Sequence, residues 1–139
     1  MDEYMLVHFL GATNVTLESG AVPALLLRSI EGKIFAIPIL EQDLTNLKSL
    51  FENKTNELTL PKIVARVIEA LNGKLEAILI TELRNEEYVV KMVLRERISG
   101  MDREVEIRPA DAIALSILTG APIYVSDTVL ENVGVDYSE

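Results

Sequence analysis

Short apolar runs along the chain predict a sheet. Alternating or continuous apolar side chains over such lengths are typical of β-strands. The predicted strands are residues 3–10, 24–30, 33–39, 75–83, 88–97, 103–107 and 123–125. Glu31-Gly32 predicts a hairpin turn, and Pro38 indicates that the strand containing it ends there or lies at a sheet edge. The stretch 75–83 is apolar on both faces, which favours a central strand.

Two segments carry apolar residues at helical spacing. The first has Leu40, Leu44, Leu47 and Phe51, which predicts an amphipathic helix. In the second, Thr59 is a candidate cap, Pro61 suits a first turn, and Gly73 is expected to end the helix. The apolar face of this second helix is predicted to be core, and its members are Ile63, Val64, Val67, Ile68 and Leu71.

A third helix is predicted over residues 109–119. Pro109 suits its first turn, Gly120 its left-handed terminal residue, and Pro122 prevents continuation. The helix is apolar nearly all round and is therefore predicted to be buried. Asp111 is the only charged residue between Arg108 and Asp127. A short terminal helix is expected from about residue 127 to 132.

These elements predict an α+β fold. We expect a mixed sheet of about six or seven strands, three main helices and the short terminal one. The sequence shows no repeat, low-complexity tract or linker, so a single domain over residues 1–139 is expected. Its hydrophobic content is 49% and its charged content 25%, as in ordinary globular proteins.

Charge and residue usage narrow the possible functions. The net charge of −9 disfavours general binding of nucleic acid, so an RNA or DNA substrate would need a local basic patch. Cysteine is absent, which excludes thiol chemistry and thiolate metal sites. His8 is the single histidine, and a lone histidine is weak evidence for a general base or a metal ligand. No apolar run approaches the ~18–20 residues of a membrane span, and residues 1–10 lack signal-peptide features. We expect a cytoplasmic protein without membrane contact.

Lys91, Arg95 and Arg97 form the clearest basic stripe, on one face of the predicted strand 88–97. Such a stripe could bind a phosphate backbone. The alternative is structural, because Glu104 and Glu106 on the return strand can form cross-strand ion pairs with it.

Arg108 and Asp111 flank the start of the buried helix. A carboxylate in the first turn is favoured by the helix dipole, and Arg108 could fold back on it, so the pair could simply secure the helix. Alternatively, Asp111 could hold a cation or activate water while Arg108 binds phosphate. The sequence has no nucleophile elbow, phosphate-binding glycine loop or zinc ligand set.

The stretch Arg108-Pro109-Ala110-Asp111-Ala112-Ile113-Ala114-Leu115, followed by Thr119-Gly120-Ala121-Pro122-Ile123-Tyr124-Val125, resembles the signature of the bifunctional nuclease domain family. The resemblance implies a small α+β domain that associates as a homo-oligomer, and cleavage of RNA or DNA. It also implies catalytic roles for Arg108 and Asp111. Apolar strands such as residues 24–27 are consistent with self-association.

The chain departs from the family pattern at several polar positions. Ala110 replaces the motif serine, the Thr-His-Asp before the second helix is replaced by Leu58-Thr59-Leu60, and the expected glutamate falls near Thr45. Asp43 or Glu41 could substitute, which makes Asp111 and Asp43 the candidate ligands of a divalent cation, Mg²⁺ or Mn²⁺. Two functions follow: a nuclease, or a non-catalytic oligomeric module that keeps the fold.

Overall fold

In the computed structural model, which describes residues 3–18, 20–52 and 58–136, eight strands form one mixed sheet with four helices. The strands are β1 (Tyr4–Leu17), β2 (Gly20–Ser29), β3 (Lys33–Pro38), β4 (Gly73–Arg84), β5 (Glu87–Glu96), β6 (Asp102–Ile107), β7 (Ile123–Ser126) and β8 (Val135–Asp136). The helices are α1 (Glu41–Glu52), α2 (Leu60–Ala70), α3 (Pro109–Thr119) and α4 (Asp127–Val133). The predicted α+β class is confirmed, with the two-residue β8 added at one edge of the sheet.

The strand order is β6-β5-β4-β7-β1-β2-β3-β8. β4 pairs with β5 in antiparallel and with β7 in parallel orientation, so its predicted central position is confirmed. Neighbouring strands elsewhere run antiparallel, and β3 ends at Pro38 as predicted. The parallel β4–β7 pair requires a crossover connection, which includes the buried helix α3.

The hairpin of β1 and β2 is longer than the sequence predicts. β1 continues beyond a bulge between Phe9 and Gly11 as far as Leu17, and β2 starts at Gly20. Residues 13 and 14 are exposed, so this part of the strand depends on pairing with β2 rather than on an apolar pattern. His8 is exposed on β1.

Helix α3 lies in the core as predicted. Its residues 112–115 are buried, and Gly120 ends it in the left-handed conformation at φ 77°. By contrast, none of the residues of α2 is fully buried, so the prediction that its apolar face is core is wrong for the side formed by Ile63 and Val67. None of the described helices is long and apolar enough to cross a membrane.

The sheet is strongly curved around its helices. Tyr88 of β5 stacks on Phe35 of β3 with ring centroids 6.4 Å apart, and its hydroxyl donates to the Ala36 carbonyl at 3.3 Å. β4, β7, β1 and β2 separate these two strands within the sheet. The contact therefore requires the sheet to bend towards α3 and α4, which place their buried residues in the same core.

Candidate functional site

The first turn of α3 faces a cavity of about 550 Å³ that also involves α1 and the start of α2. Apolar side chains form much of its wall, including Leu40, Leu50 and Leu60. Polar residues also line the cavity, among them Asp43, Arg108 and Asp111. An apolar pocket with a few polar groups is the usual form of a small-molecule or substrate site.

Arg108 links two carboxylates. Its Nη2 donates to Oδ2 of Asp43 at 2.6 Å, and its Nη1 lies 3.5 Å from Oδ2 of Asp111. The Asp43 side chain is only 8% exposed, whereas 55% of the Arg108 side chain is exposed. The guanidinium is therefore anchored on its inner side by Asp43 and open to solvent on the other.

Local sequence explains how these groups are positioned. Pro109 starts α3, so Arg108 is its N-cap and Asp111 falls in the first turn. Asp43 lies in the first turn of α1, where its Oδ2 also accepts a hydrogen bond from the Leu40 N–H at 3.1 Å. Asp43 therefore accepts the backbone N–H that precedes α1, as the third helical residue does in a capping box, and orients Arg108 at the same time. This arrangement holds the starts of α1 and α3 together.

Burial and charge act in opposite directions on Asp111. Desolvation raises the pKa of its carboxyl, the positive charge of Arg108 lowers it, and the negative charge of Asp43 raises it again, with a net increase. The hydrogen bond to Asp43 raises the pKa of Arg108, which therefore stays cationic. The cavity thus contains a fixed guanidinium beside a carboxyl that takes up a proton more readily than an ordinary aspartate.

The basic stripe of Lys91, Arg95 and Arg97 does not line this cavity. Along β5, Val90 and Met92 belong to the core, so Lys91 and Arg95 point to the sheet face opposite α3. Lys91 lies 3.7 Å from Glu104, and Arg95 hydrogen-bonds Asp102 at 2.9 Å. Arg97 follows the end of β5. The assignment of these three residues to substrate binding stays a prediction, and the ion pairs favour the alternative of cross-strand pairing.

Comparison with known protein families adds the context for this cavity. A sequence family described as Bifunctional nuclease domain matches residues 25–138, which include every helix and all strands except β1 and the start of β2. The chain belongs to the bifunctional nuclease domain family. No curated protein matches the sequence. The signature of this family thus contributes Arg108 and Asp111 to one wall of the cavity.

The departures from the family pattern lie around the same cavity. Ala110 is buried in α3 and faces it, while Thr59 and Leu60 line it at the start of α2. Thr59 is the N-cap of α2, but its side chain makes no capping hydrogen bond. The polar residues expected at these positions are thus replaced by small, apolar or uncharged ones.

The Arg108 guanidinium lies between Asp43 and Asp111 and contacts both carboxylates. Over the described ranges, no group of three or more acidic, histidine or cysteine residues could hold a metal ion. The assignment of Asp43 and Asp111 as metal ligands stays a prediction.

The sequence predicts that Arg108 and Asp111 lie together, and it offers Asp43 only as a candidate metal ligand beside Asp111, not as a partner of Arg108. The closer partner of Arg108 is Asp43, which lies 65 residues away. Gln42, Asn46 and Lys62 also line the cavity and were not predicted. Their only signal in the sequence is that they lie in the first turns of the two amphipathic helices, or close to them.

Proposed function

We propose that the chain cleaves phosphodiester bonds of nucleic acid at the cavity beside the first turn of α3. The supporting observation is that Arg108 and Asp111 line one cavity in a chain of the bifunctional nuclease domain family. A guanidinium matches the geometry of a phosphate, and a carboxylate can accept a proton from the attacking group. The exposed side of Arg108 leaves N–H donors for the substrate.

RNA is the substrate that these residues could cleave unaided. The Asp111 carboxylate accepts the proton of a ribose 2′-hydroxyl, whose oxygen then bonds to phosphorus. The bond from phosphorus to the 5′-oxygen breaks, and that oxygen takes a proton from solvent. Arg108 stabilises the charge on the non-bridging oxygens of the phosphate. DNA lacks this hydroxyl, so we expect slower cleavage of DNA in the absence of a divalent cation.

The raised pKa of Asp111 shapes the pH dependence of this reaction. Only the ionised carboxylate can act as a base, and burial shifts its ionisation to higher pH than for an exposed aspartate. We therefore expect kcat/KM to rise with pH through that raised pKa. In Asp111→Asn this rise should be absent.

The test is an assay of the purified chain on single-stranded RNA and DNA, each with Mg²⁺, Mn²⁺ or a chelator. We expect RNA cleavage in all three conditions and a loss of about 10²- to 10⁴-fold in kcat for Asp111→Asn. Lys74→Ala is the matched surface control, because Lys74 is exposed on β4 and does not line the cavity, so kcat should stay unchanged. Cleavage at the wild-type rate by Asp111→Asn would remove Asp111 from the reaction.

A second candidate function is a non-catalytic module that keeps the family fold. It is favoured by the short contact between Arg108 and Asp43, in which the guanidinium already has a carboxylate partner. The net charge of −9 also opposes binding of a polyanion. In this case no condition of the assay yields cleavage, and Asp111→Asn leaves the behaviour of the chain on nucleic acid unchanged.

A further inference from the structure

Two amide side chains form a pair on the wall that α1 contributes to the cavity. Gln42 and Asn46 lie one helical turn apart, and both are exposed and line the cavity. The Gln42 Nε2 donates to Oδ1 of Asn46 at 3.1 Å. A primary amide has one carbonyl oxygen and two N–H donors, so this bond leaves the oxygen and one N–H of Gln42 for a ligand. The contact with Asn46 thereby orients a donor and an acceptor that lie side by side.

The amide pair lies next to the group that the proposed reaction assigns to phosphate. Gln42 directly precedes Asp43, whose carboxylate accepts a hydrogen bond from Arg108 at 2.6 Å. From Gln42 the cavity follows α1 as far as Leu50, a length of ~12 Å along the helix axis. Its volume of about 550 Å³ is in the range of sites that enclose one small ligand. The cavity therefore has room for one nucleotide, with its phosphate at Arg108 and its base along α1.

The charge of the lining also fits a single nucleotide. Lys62 and Arg108 contribute positive charges to the described lining. Asp43 and Asp111 balance them, so the cavity is locally neutral although the chain has a net charge of −9. The rest of the surface repels a long polyanion, whereas one phosphate needs only the cations beside it. Binding of one unstacked base is also the usual way in which proteins recognise single-stranded RNA.

We propose that the cavity binds an adenine nucleotide, with the base hydrogen-bonded to Gln42 and the phosphate at Arg108. The inference rests on the proposed function for the role of Arg108 in binding phosphate. The Gln42 Oε1 accepts an N–H of the adenine 6-amino group, and its Nε2 donates to the neighbouring ring nitrogen, N1 or N7. A contact of this kind, with two hydrogen bonds, is the usual one between an amide side chain and adenine.

The apolar part of the lining favours adenine over the other bases. Leu50, Leu60 and Pro61 line the same cavity, and their side chains can neither donate nor accept a hydrogen bond. At ring position 2, cytosine and uracil carry a carbonyl oxygen and guanine carries an amino group, whereas adenine has only a C–H. A polar group enclosed by apolar side chains loses its water without gaining a partner, which weakens binding. Adenine is therefore the base that leaves this corner of the ring satisfied.

The first experiment titrates AMP, GMP, CMP, UMP and adenosine into the full chain by calorimetry. We expect AMP to bind on the order of 10-fold more tightly than the other nucleotides, and adenosine to bind more weakly than AMP. Gln42→Glu should lose most of this preference, because the carboxylate has no N–H donor and is tolerated in the first turn of a helix. Asn14→Asp is the matched control, since it adds the same charge on exposed β1 outside the cavity and should keep the preference. Equal affinity of the wild type for the four nucleotides, or an unchanged preference in Gln42→Glu, would overturn the proposal.

The second experiment separates the adenine site from the proposed cleavage reaction. Single-stranded RNA oligonucleotides that differ at one base are incubated with the wild type and with Gln42→Glu, and the cut positions are mapped. We expect cuts next to adenine, with less dependence on adenine in the variant. Cleavage by the wild type without any base preference contradicts the adenine site and leaves the nuclease proposal standing. Selective binding of AMP without cleavage of any RNA supports the adenine site, contradicts the nuclease proposal and identifies a free nucleotide as the ligand.

Discussion

At the scale of single residues, the two carboxylates beside Arg108 differ in burial and in the contacts that they make. Asp43 is buried, accepts the Leu40 N–H and binds Arg108. Asp111 is more exposed, and its only described ion pair is longer, at 3.5 Å. Removing the charge from these two carboxylates should therefore have different effects on stability.

We expect Asp43→Asn to lower the free energy of unfolding by about 1.5–3 kcal/mol, the range for a hydrogen bond to a charged group. The amide oxygen can still accept from Leu40, so the loss reports mainly on Arg108. Urea unfolding measures the difference, with Asp111→Asn as the isosteric control. Equal destabilisation by the two substitutions would show that Asp43 has no special role as an anchor.

Asp111 should make stability depend on pH in the opposite sense to an ordinary paired aspartate. Burial raises its pKa, so the folded chain favours the protonated carboxyl. Its contribution is present below the ordinary aspartate pKa and is lost as pH rises through the raised value. At neutral pH we expect Asp111→Asn to match the wild type within about 1 kcal/mol, because the lost ion pair is partly exposed.

As pH falls through that window, the wild type should gain stability relative to Asp111→Asn. Thermal unfolding of both proteins in a series of buffers gives this comparison directly. A wild type that loses stability relative to the variant on acidification would mean that the attraction of Arg108 outweighs burial at this carboxyl.

At the scale of elements, α3 is the part of the fold that sequence determines most directly. Pro109 and Gly120 define its ends, and its uniform apolar surface predicts its burial. α2 shows where such reasoning fails, because a helical stripe indicates an apolar contact without indicating whether the same chain supplies it. The extension of β1 was missed for a related reason: its outer part is held by pairing with β2, which the local pattern does not encode.

Replacement of Gly120 tests the end of α3. Gly120 has φ 77°, and a Cβ built there meets no atom within 4 Å. The cost of Gly120→Ala is therefore backbone strain without steric overlap, and we expect a loss of about 1–2 kcal/mol in urea unfolding. Gly120→Asn should recover part of it, since asparagine tolerates the left-handed conformation better than alanine. Equal stability of alanine and glycine at this position would mean that the helix end relaxes out of this conformation.

At the scale of the whole molecule, the candidate site depends on contacts between distant parts of the chain. Arg108 and Asp111 could be predicted from their signature, and Asp43 only as a candidate, because no local pattern joins residues 65 positions apart. The strand order is likewise determined by contacts between distant parts of the chain. β7 lies between β4 and β1, although it follows both of them in sequence. Local apolar patterns predict which segments are strands, and tertiary packing decides their neighbours.

The contact between Tyr88 and Phe35 is a further long-range feature and lies outside the site. It joins β5 to β3 across the concave side of the sheet. Burial raises the pKa of the Tyr88 hydroxyl, so it remains a donor to Ala36 throughout the neutral range. If this contact maintains the curvature of the sheet, its loss should destabilise both β3 and β5.

We expect Tyr88→Ala to lower the free energy of unfolding by about 2–4 kcal/mol, since it removes a half-buried ring from the core. Tyr88→Phe keeps the ring stack and loses only the hydrogen bond, so about 0.5–1.5 kcal/mol is expected. Hydrogen exchange decides between a local and a long-range effect. Reduced protection in both β3 and β5 of Tyr88→Ala is the expected result, because each strand loses its partner across the sheet. Reduced protection confined to β5 would mean that the curvature is set by α3 and α4 alone, with Tyr88 only filling space beneath them.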